Sequence, residues 1–234
     1  MCGRFTLAAP RADVARALAA ELPEGAGELE PRWNIAPSQD VLAATAEEGA
    51  PRALRGLAWG LVPAWSREAS PAPLINARAE TVASKPSFRA AFRSRRCLVP
   101  MSGFYEWKRD GRERVPWYFS PAAGSGLLIA AAIWERRAGE DGAVRDGLAL
   151  LTTEANELMA PIHHRMPVLF DVAAREQWMD PAAGRSALEA LLRPAPAELL
   201  QRWRVSRAVN RASTQGPQCV APAPPEGLFD APEA

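Results

Sequence analysis

The sequence predicts an α+β fold: a curved, mostly antiparallel, barrel-like β-sheet with peripheral helices. Two observations lead there. Short apolar stretches bounded by Gly, Pro or polar turns recur along the chain, and they far outnumber βαβ-like alternations. Segments with helical spacing fall near the two ends and in one short internal stretch. At 234 residues and 48% apolar composition the chain can bury one large core. We expect one domain over residues 1–220 and a Pro-rich loose tail over 221–234.

The elements follow in order. RADVARALAAEL (11–22) places Val14, Leu18 and Leu22 on one helical face. Residues 23–40, broken by Gly and Pro, read as loop. RGLAWGLVP (55–63) reads as a buried strand stopped by Pro63, and SFRAAFR (87–93) as a short helix with Phe88 and Phe92 four apart. CLVPMSGFYEWK (97–108) is strand-like with a turn near Ser102-Gly103. VPWYF (115–119), LLIAAAIW (127–134), LALLTT (148–153) and MPVLF (166–170) are further strands, and 136–147 is a hairpin loop. Helices are expected at 172–179, 185–192 and 196–203.

Composition narrows the chemistry. No segment has the continuous apolar run of a membrane span, and the N-terminus lacks a signal-peptide core, so a cytoplasmic protein is expected. Cys2, Cys97 and Cys219 lie far apart, without a CxxC pair, and read as reduced thiols; Cys97 and Cys219 read as small buried residues. His163 and His164 are adjacent, which lacks the spacing of a structural zinc site, so no metal is expected. The net charge of +1 excludes a globally basic coat but not a local basic groove. The run KPSFRAAFRSRR (85–96) reads first as a solvated helix face.

Lys85 and Lys108 are the only lysines, so amine chemistry has three sources: these two and the chain terminus. Removal of Met1 before the small Cys2 would expose an α-amine and a thiol two carbons apart. An α-amine has a pKa near 8 against about 10.4 for lysine, so roughly a hundredfold more of it is the neutral nucleophile at pH 7. It can form an imine with an aldehyde, and the thiol can then close a five-membered thiazolidine, an intramolecular step of high effective molarity. The alternative is that Cys2 is an ordinary second residue.

Glu106, among Phe104, Tyr105 and Trp107, is either a proton shuttle with a raised pKa or a strand carboxylate facing solvent. His163, at a helix–strand junction, is either a general acid or a satisfied structural histidine. In NARAET (76–81), Asn76, Arg78 and Glu80 would share one strand face, suited to a sugar or phosphate or simply exposed. Of the eight tryptophans, Trp65 and Trp107 are the better candidates for base stacking.

Taken together, MCGRF at the start, WNIAPSQ (33–39), WGLVPAW (59–65), INARAET (75–81), RCLVPMSGFYEWK (96–108), IHHRMPV (162–168) and VSRAVN (205–210) resemble the SOS response-associated peptidase (SRAP) family, which forms protein–DNA crosslinks at abasic sites. The resemblance runs over nearly the whole chain. It implies Cys2 as the nucleophile, Asn76 as the group holding the opened sugar or its phosphate, Glu106 as the group orienting the amine and moving its proton, and His163 as the proton donor in ring opening. It implies DNA contacts by Arg4, Asn34, Arg78 and Arg165, with Trp65 and Trp107 wedging and stacking the flanking bases. His164 stands where many relatives carry an acid. The implied partner is single-stranded DNA with abasic sites, including junctions with duplex, bound by a monomer without membrane or cofactor. Two rivals remain at this level: an N-terminal-nucleophile cysteine peptidase, and a non-covalent single-stranded DNA-binding module.

Overall fold

The computed structural model describes residues 2–22, 25, 27–46, 50–66, 72–122, 126–138 and 144–224. Its strands are β1 (Arg4–Leu7), β2 (Arg32–Ile35), β3 (Asp40–Thr45), β4 (Ala53–Trp59), β5 (Asn76–Arg78), β6 (Arg96–Met101), β7 (Gly103–Asp110), β8 (Glu113–Pro121), β9 (Leu128–Ala138), β10 (Val144–Glu154), β11 (Arg165–Pro167) and β12 (Leu200–Arg204). The helices are α1 (Arg11–Leu18), α2 (Arg89–Ser94), α3 (Val172–Met179) and α4 (Arg185–Ala190). None among the described residues is long and apolar enough to cross a membrane.

One sheet closes on itself. β9 pairs with both β10 and β6, β6 with β3, β3 with β4, and β4 with β10. The pairings are antiparallel except where β4 and then β5 run parallel to β10. β10 is the strand that matters for function. Leu150, Leu151 and Thr152 pair with Asn76, Ala77 and Arg78 of β5, while Thr152, Thr153 and Glu154 pair with β11. The two short strands are therefore held on opposite flanks of one strand end.

The second sheet has the order β12-β8-β7-β1-β2. Alternation along β7 decides what each residue faces. Phe104 belongs to the main core, stacked on Phe119 with centroids 5.0 Å apart. Tyr105 lies on the opposite face in a smaller cluster with Tyr118, Val205, Val209 and Cys219, flanked by Trp33, Trp107 and Trp203. Glu106 shares the parity of Phe104 and is drawn inward. Phe5 of β1 packs on Trp59 at 5.1 Å and joins the two sheets.

The fold class is the one expected, and α3 has the expected limits, with Asp171 capping its N-terminus through a 2.8 Å bond from the Ala174 amide. Three expectations are corrected. Residues 23–40 are not all loop: β2 pairs with β1, in a short strand flanked by Pro31 and Pro37. The helix expected over 196–203 is a 3₁₀ turn (Ala197–Leu199) followed by β12. There, pairing with β8 and the edge-on contact of Trp203 with Tyr118 at 5.3 Å override helical propensity. The first residues after 220 are docked, not loose: Pro222 bridges Val205 and the Ala223 amide bonds the Arg204 carbonyl. The rest of the expected tail, 225–234, and the centre of the expected 136–147 loop lie outside the described residues.

The basic run 85–96 is also not one solvated face. Arg96 is buried and donates to the carbonyls of Phe92, Trp178 and Asp180, satisfying the C-terminal ends of α2 and α3. Arg95 pairs with Glu135 at 2.8 Å.

The turn between β6 and β7 needs a glycine. A Cβ on Gly103 would overlap the Tyr118 ring and hydroxyl and the Phe119 carbonyl, where Thr6 Oγ1 also bonds Tyr118 Oη at 2.7 Å. Gly103→Ala is expected to cost about 2–3 kcal/mol by overpacking. A urea midpoint that falls at unchanged m-value checks this; an unchanged midpoint would contradict it.

Candidate active site

The site is built where the start of β1 meets β7, β10 and its two flanking strands. Cys2 has a fully buried side chain (0% exposed) next to Gly3, which lines a cavity of about 710 Å³. Asn76, on β5, donates from Nδ2 to the Cys2 carbonyl at 2.9 Å. Its Oδ1 is buried and, among the described residues, has no hydrogen-bond partner, an acceptor left for a ligand or for the Cys2 amine. The cavity is lined by Gly3, Arg4, Pro37, Glu106, Trp107, Arg109, Arg114, His163 and Asn210.

Burial acts on three titratable groups. It pushes the Cys2 thiol up to about 12, with the charge of Glu106 adding to the effect, so the thiol is protonated at neutral pH. Glu106 is 3% exposed, and burial raises its carboxyl above the usual range, opposed in part by the Trp107 amide that reaches Oε2 at 3.3 Å. His163 is half-buried and burial lowers its imidazole below the ordinary value. The Arg165 amide donates to His163 Nδ1 at 3.0 Å. The Arg165 carbonyl lies 3.2 Å from the same Nδ1, so the amide suits a ring with its proton on Nε2 and the carbonyl suits a ring protonated on Nδ1.

The loop that presents His163 is fixed by its own hydrogen bonds. Asn156 accepts from the Met159 amide, donates to the Ala195 carbonyl, and the Ala155 amide bonds the His164 carbonyl. The His164 ring stacks on His163 with centroids 4.5 Å apart, and its imidazole is lowered mainly by the neighbouring His163 charge.

The expected DNA-contacting residues divide. Arg4 donates to Asn34 Oδ1 at 2.7 Å and to the carbonyls of Val209 and Asn210, all neutral acceptors, and lies 5.9 Å from the Trp107 ring centroid. Trp107 is itself pinned by its Nε1 bond to Asn210 Oδ1 at 2.7 Å. Asn34 is corrected: it is 0% exposed and does not present itself to a ligand. It holds Arg4 from Oδ1 and the Val209 and Arg211 carbonyls from Nδ2. Arg165 is outside the lining of the cavity and is engaged by Glu80 through two bonds of 2.5 and 2.9 Å and by the Thr152 carbonyl. Glu80 lies past the end of β5 in a turn, so it does not share a strand face with Asn76 and Arg78. Arg78 is exposed. Trp65 is 65% exposed on a turn closed by the Ser66 amide, outside the lining of this cavity.

Sequence reasoning missed Asn210, Arg109 and Arg114. Only a two-residue turn at Gly111-Arg112, which closes Asp110 on Glu113, pairs the two arginines across the hairpin.

The model of the SOS response associated peptidase (SRAP) family matches residues 1–212. The chain belongs to this family. SRAP relatives similar to it include the abasic site processing protein YoqW of Bacillus subtilis, 36% identical over 94% of this chain and 99% of that protein. The abasic site processing protein YedK of Escherichia coli is 31% identical over 95% and 100% of the two chains. The chicken abasic site processing protein HMCES is 30% identical over 95% and 78%. Among solved structures, one from Bacteroides thetaiotaomicron superimposes with a TM-score of 0.82 at 23% identity, over 95% of this chain and 100% of that one, which establishes the shared fold. A phage-related protein of Bordetella bronchiseptica superimposes at 0.70 with 26% identity, over 88% and 95%.

The raised carboxyl of Glu106 has a stability consequence. Its folded pKa lies above its unfolded one, so its contribution is fully present below the ordinary carboxylate range and is lost as pH rises through the folded pKa. Glu106→Gln is therefore expected to melt at a higher temperature than the parent at pH 8, with the difference shrinking as pH falls towards 4. A difference independent of pH would mean a solvated carboxylate.

Proposed function

We propose that this SRAP protein processes abasic sites in single-stranded DNA by closing the aminothiol of Cys2, exposed by removal of Met1, onto the lesion aldehyde. The observation that carries the reading is the hydrogen bond from Asn76 to the Cys2 main chain, beside buried Glu106 and next to a cavity lined by Arg4, Trp107 and His163. The names of the relatives point to the same lesion.

The steps follow from the protonation states. Protonated His163 gives its Nε2 proton to the sugar ring oxygen as the C1′–O4′ bond breaks and becomes neutral, while the C1′ hydroxyl passes its proton to water, leaving the aldehyde. Glu106 takes a proton from the Cys2 ammonium, and the neutral amine adds to the aldehyde carbon and expels water as an imine. A thiol held protonated by burial leaves this first attack to the amine. The thiol then adds to the imine carbon, its proton passes to the nitrogen, and the thiazolidine closes. The imine, which would promote β-elimination and strand breakage, is gone. Run backwards through Glu106 and His163, the same steps release the lesion. Arg4, placed among neutral acceptors, keeps an uncompensated charge for a phosphate, and Trp107 offers a face to a base. Such contacts select no sequence and favour a strand whose bases are unpaired.

A denaturing gel of the protein with a single-stranded oligonucleotide bearing one abasic site tests this. The parent gives a heat-stable shifted band. Cys2→Ala gives none, Cys2→Ser gives a weaker and less durable one, and a form retaining Met1 gives none because its Cys2 nitrogen is an amide. Glu106→Gln slows formation on the order of a hundredfold, and His163→Ala slows formation or reversal. A band of parental strength from Cys2→Ala would overturn the proposal, and Cys2-dependent cleavage of an unrelated peptide would favour a peptidase.

A further inference from the structure

The cavity beside Cys2 extends onto the β7–β8 hairpin, which carries an unusual rung. Arg109 of β7 sits directly opposite Arg114 of β8. Like charges directly opposite on paired strands repel and destabilise the pairing. Among the described residues neither arginine forms an ion pair. Several other arginines of the chain are engaged. Arg137 and Arg145, also opposite one another, are both engaged within the chain, and Arg52, Arg95, Arg165 and Arg207 each pair with a carboxylate.

Arg109 and Arg114 line the same cavity as Arg4, whose own hydrogen bonds go to neutral acceptors. Three guanidinium groups thus border one space, and the carboxylate that shares it, Glu106, is buried on the inward face of β7. Trp107 and Arg109 lie two residues apart on one strand, roughly 7 Å, with the same facing. A guanidinium pair is suited to a tetrahedral oxyanion, since each planar fork can donate two parallel bonds.

We propose that Arg109 and Arg114 jointly bind one backbone phosphate of the DNA strand, beyond the nucleotide whose base stacks on Trp107. The ligand's identity rests on the reading of the cavity as a DNA site. The subsite itself rests on the rung and its place in the cavity. An oxyanion between the two arginines converts the repulsive rung into a bridged one, so strand binding also steadies the hairpin.

The test uses the full chain with Cys2→Ala, so that binding is reversible, and a labelled undamaged single-stranded oligonucleotide read by fluorescence anisotropy over a salt series. Arg109→Ala and Arg114→Ala are each expected to weaken binding about three- to tenfold at low salt. The double variant is expected to lose little more than either single. Its slope of log affinity against log salt falls by about 0.7, the value for one phosphate on a single strand. Arg109→Lys and Arg114→Lys keep the slope. Unchanged affinity and slope in the double variant would overturn the proposal, and a fall of about 1.4 would overturn the shared phosphate in favour of two separate ones.

Two further arms separate the sources and the trivial explanation. Inorganic phosphate at matched ionic strength is expected not to compete; competition that needs both arginines would make this a free-phosphate site instead. Without DNA at low salt, Arg114→Ala is expected to raise the melting temperature by relieving repulsion, an effect that high salt erases. A lowered melting temperature would mean that the pair holds the hairpin together, and would overturn the assignment. Crosslinking of an abasic oligonucleotide by the Cys2 parent is read separately. Absence of a crosslink with the slope change intact removes the lesion chemistry and leaves the subsite; a crosslink with no slope change does the reverse.

Discussion

The register between β1 and β7 is the constraint on which the site depends. Arg4 pairs with Tyr105 and Phe5 with Phe104, so the residue two before Arg4 is carried to the neighbourhood of Glu106. A slip of one residue would turn Phe5 to the wrong face and separate it from Trp59, losing the contact that joins the two sheets. Packing of the core and placement of the chain start are therefore one requirement. Asn76 adds the second fixed point by holding the Cys2 carbonyl from β5, and β5 is itself fixed by its parallel pairing along β10.

Burial then sets the chemistry. The same exclusion of water raises the Cys2 thiol and the Glu106 carboxyl and lowers the His163 imidazole. Each shift favours the uncharged form. The floor of the cavity thus tends to neutrality, suited to passing protons, while Arg4, Arg109 and Arg114 give its rim positive charge. Under the proposed function, the floor transfers protons and the rim binds the strand. Arg165 does not belong to the rim in the same sense, because Glu80 already neutralises it. Its service is local: its main-chain amide and carbonyl both reach His163 Nδ1 and hold the ring in place.

Much of this was legible in the sequence, for identifiable reasons. The strand-like stretches around Leu57, Leu98, Ala131 and Leu150 carry enough apolar density to announce buried strands, and α3 has the limits expected of it. β2 was hidden because four residues between prolines carry no readable period, and β12 because LLQRW suits a helix until β8 is there to pair with it. The site motifs located Cys2, Asn76, Glu106 and His163, since those residue types are few and chemically distinct. Their orientation was not legible. Whether Glu106 faces solvent or core depends on the parity of β7, which only the pairing with β1 and β8 decides. Asn34 looked like a ligand contact because its role, holding Arg4 against the Val209 carbonyl, joins segments far apart in sequence.

The proposed chemistry depends on which nitrogen holds the lesion. Nuclease digestion of the crosslinked product, followed by peptide mass mapping, measures this directly. The predicted adduct is on a peptide that begins at Cys2, lacks Met1 and no longer yields a free Cys2 thiol to alkylation. An adduct on Lys85 or Lys108, or a crosslinked fraction that keeps Met1, would contradict it.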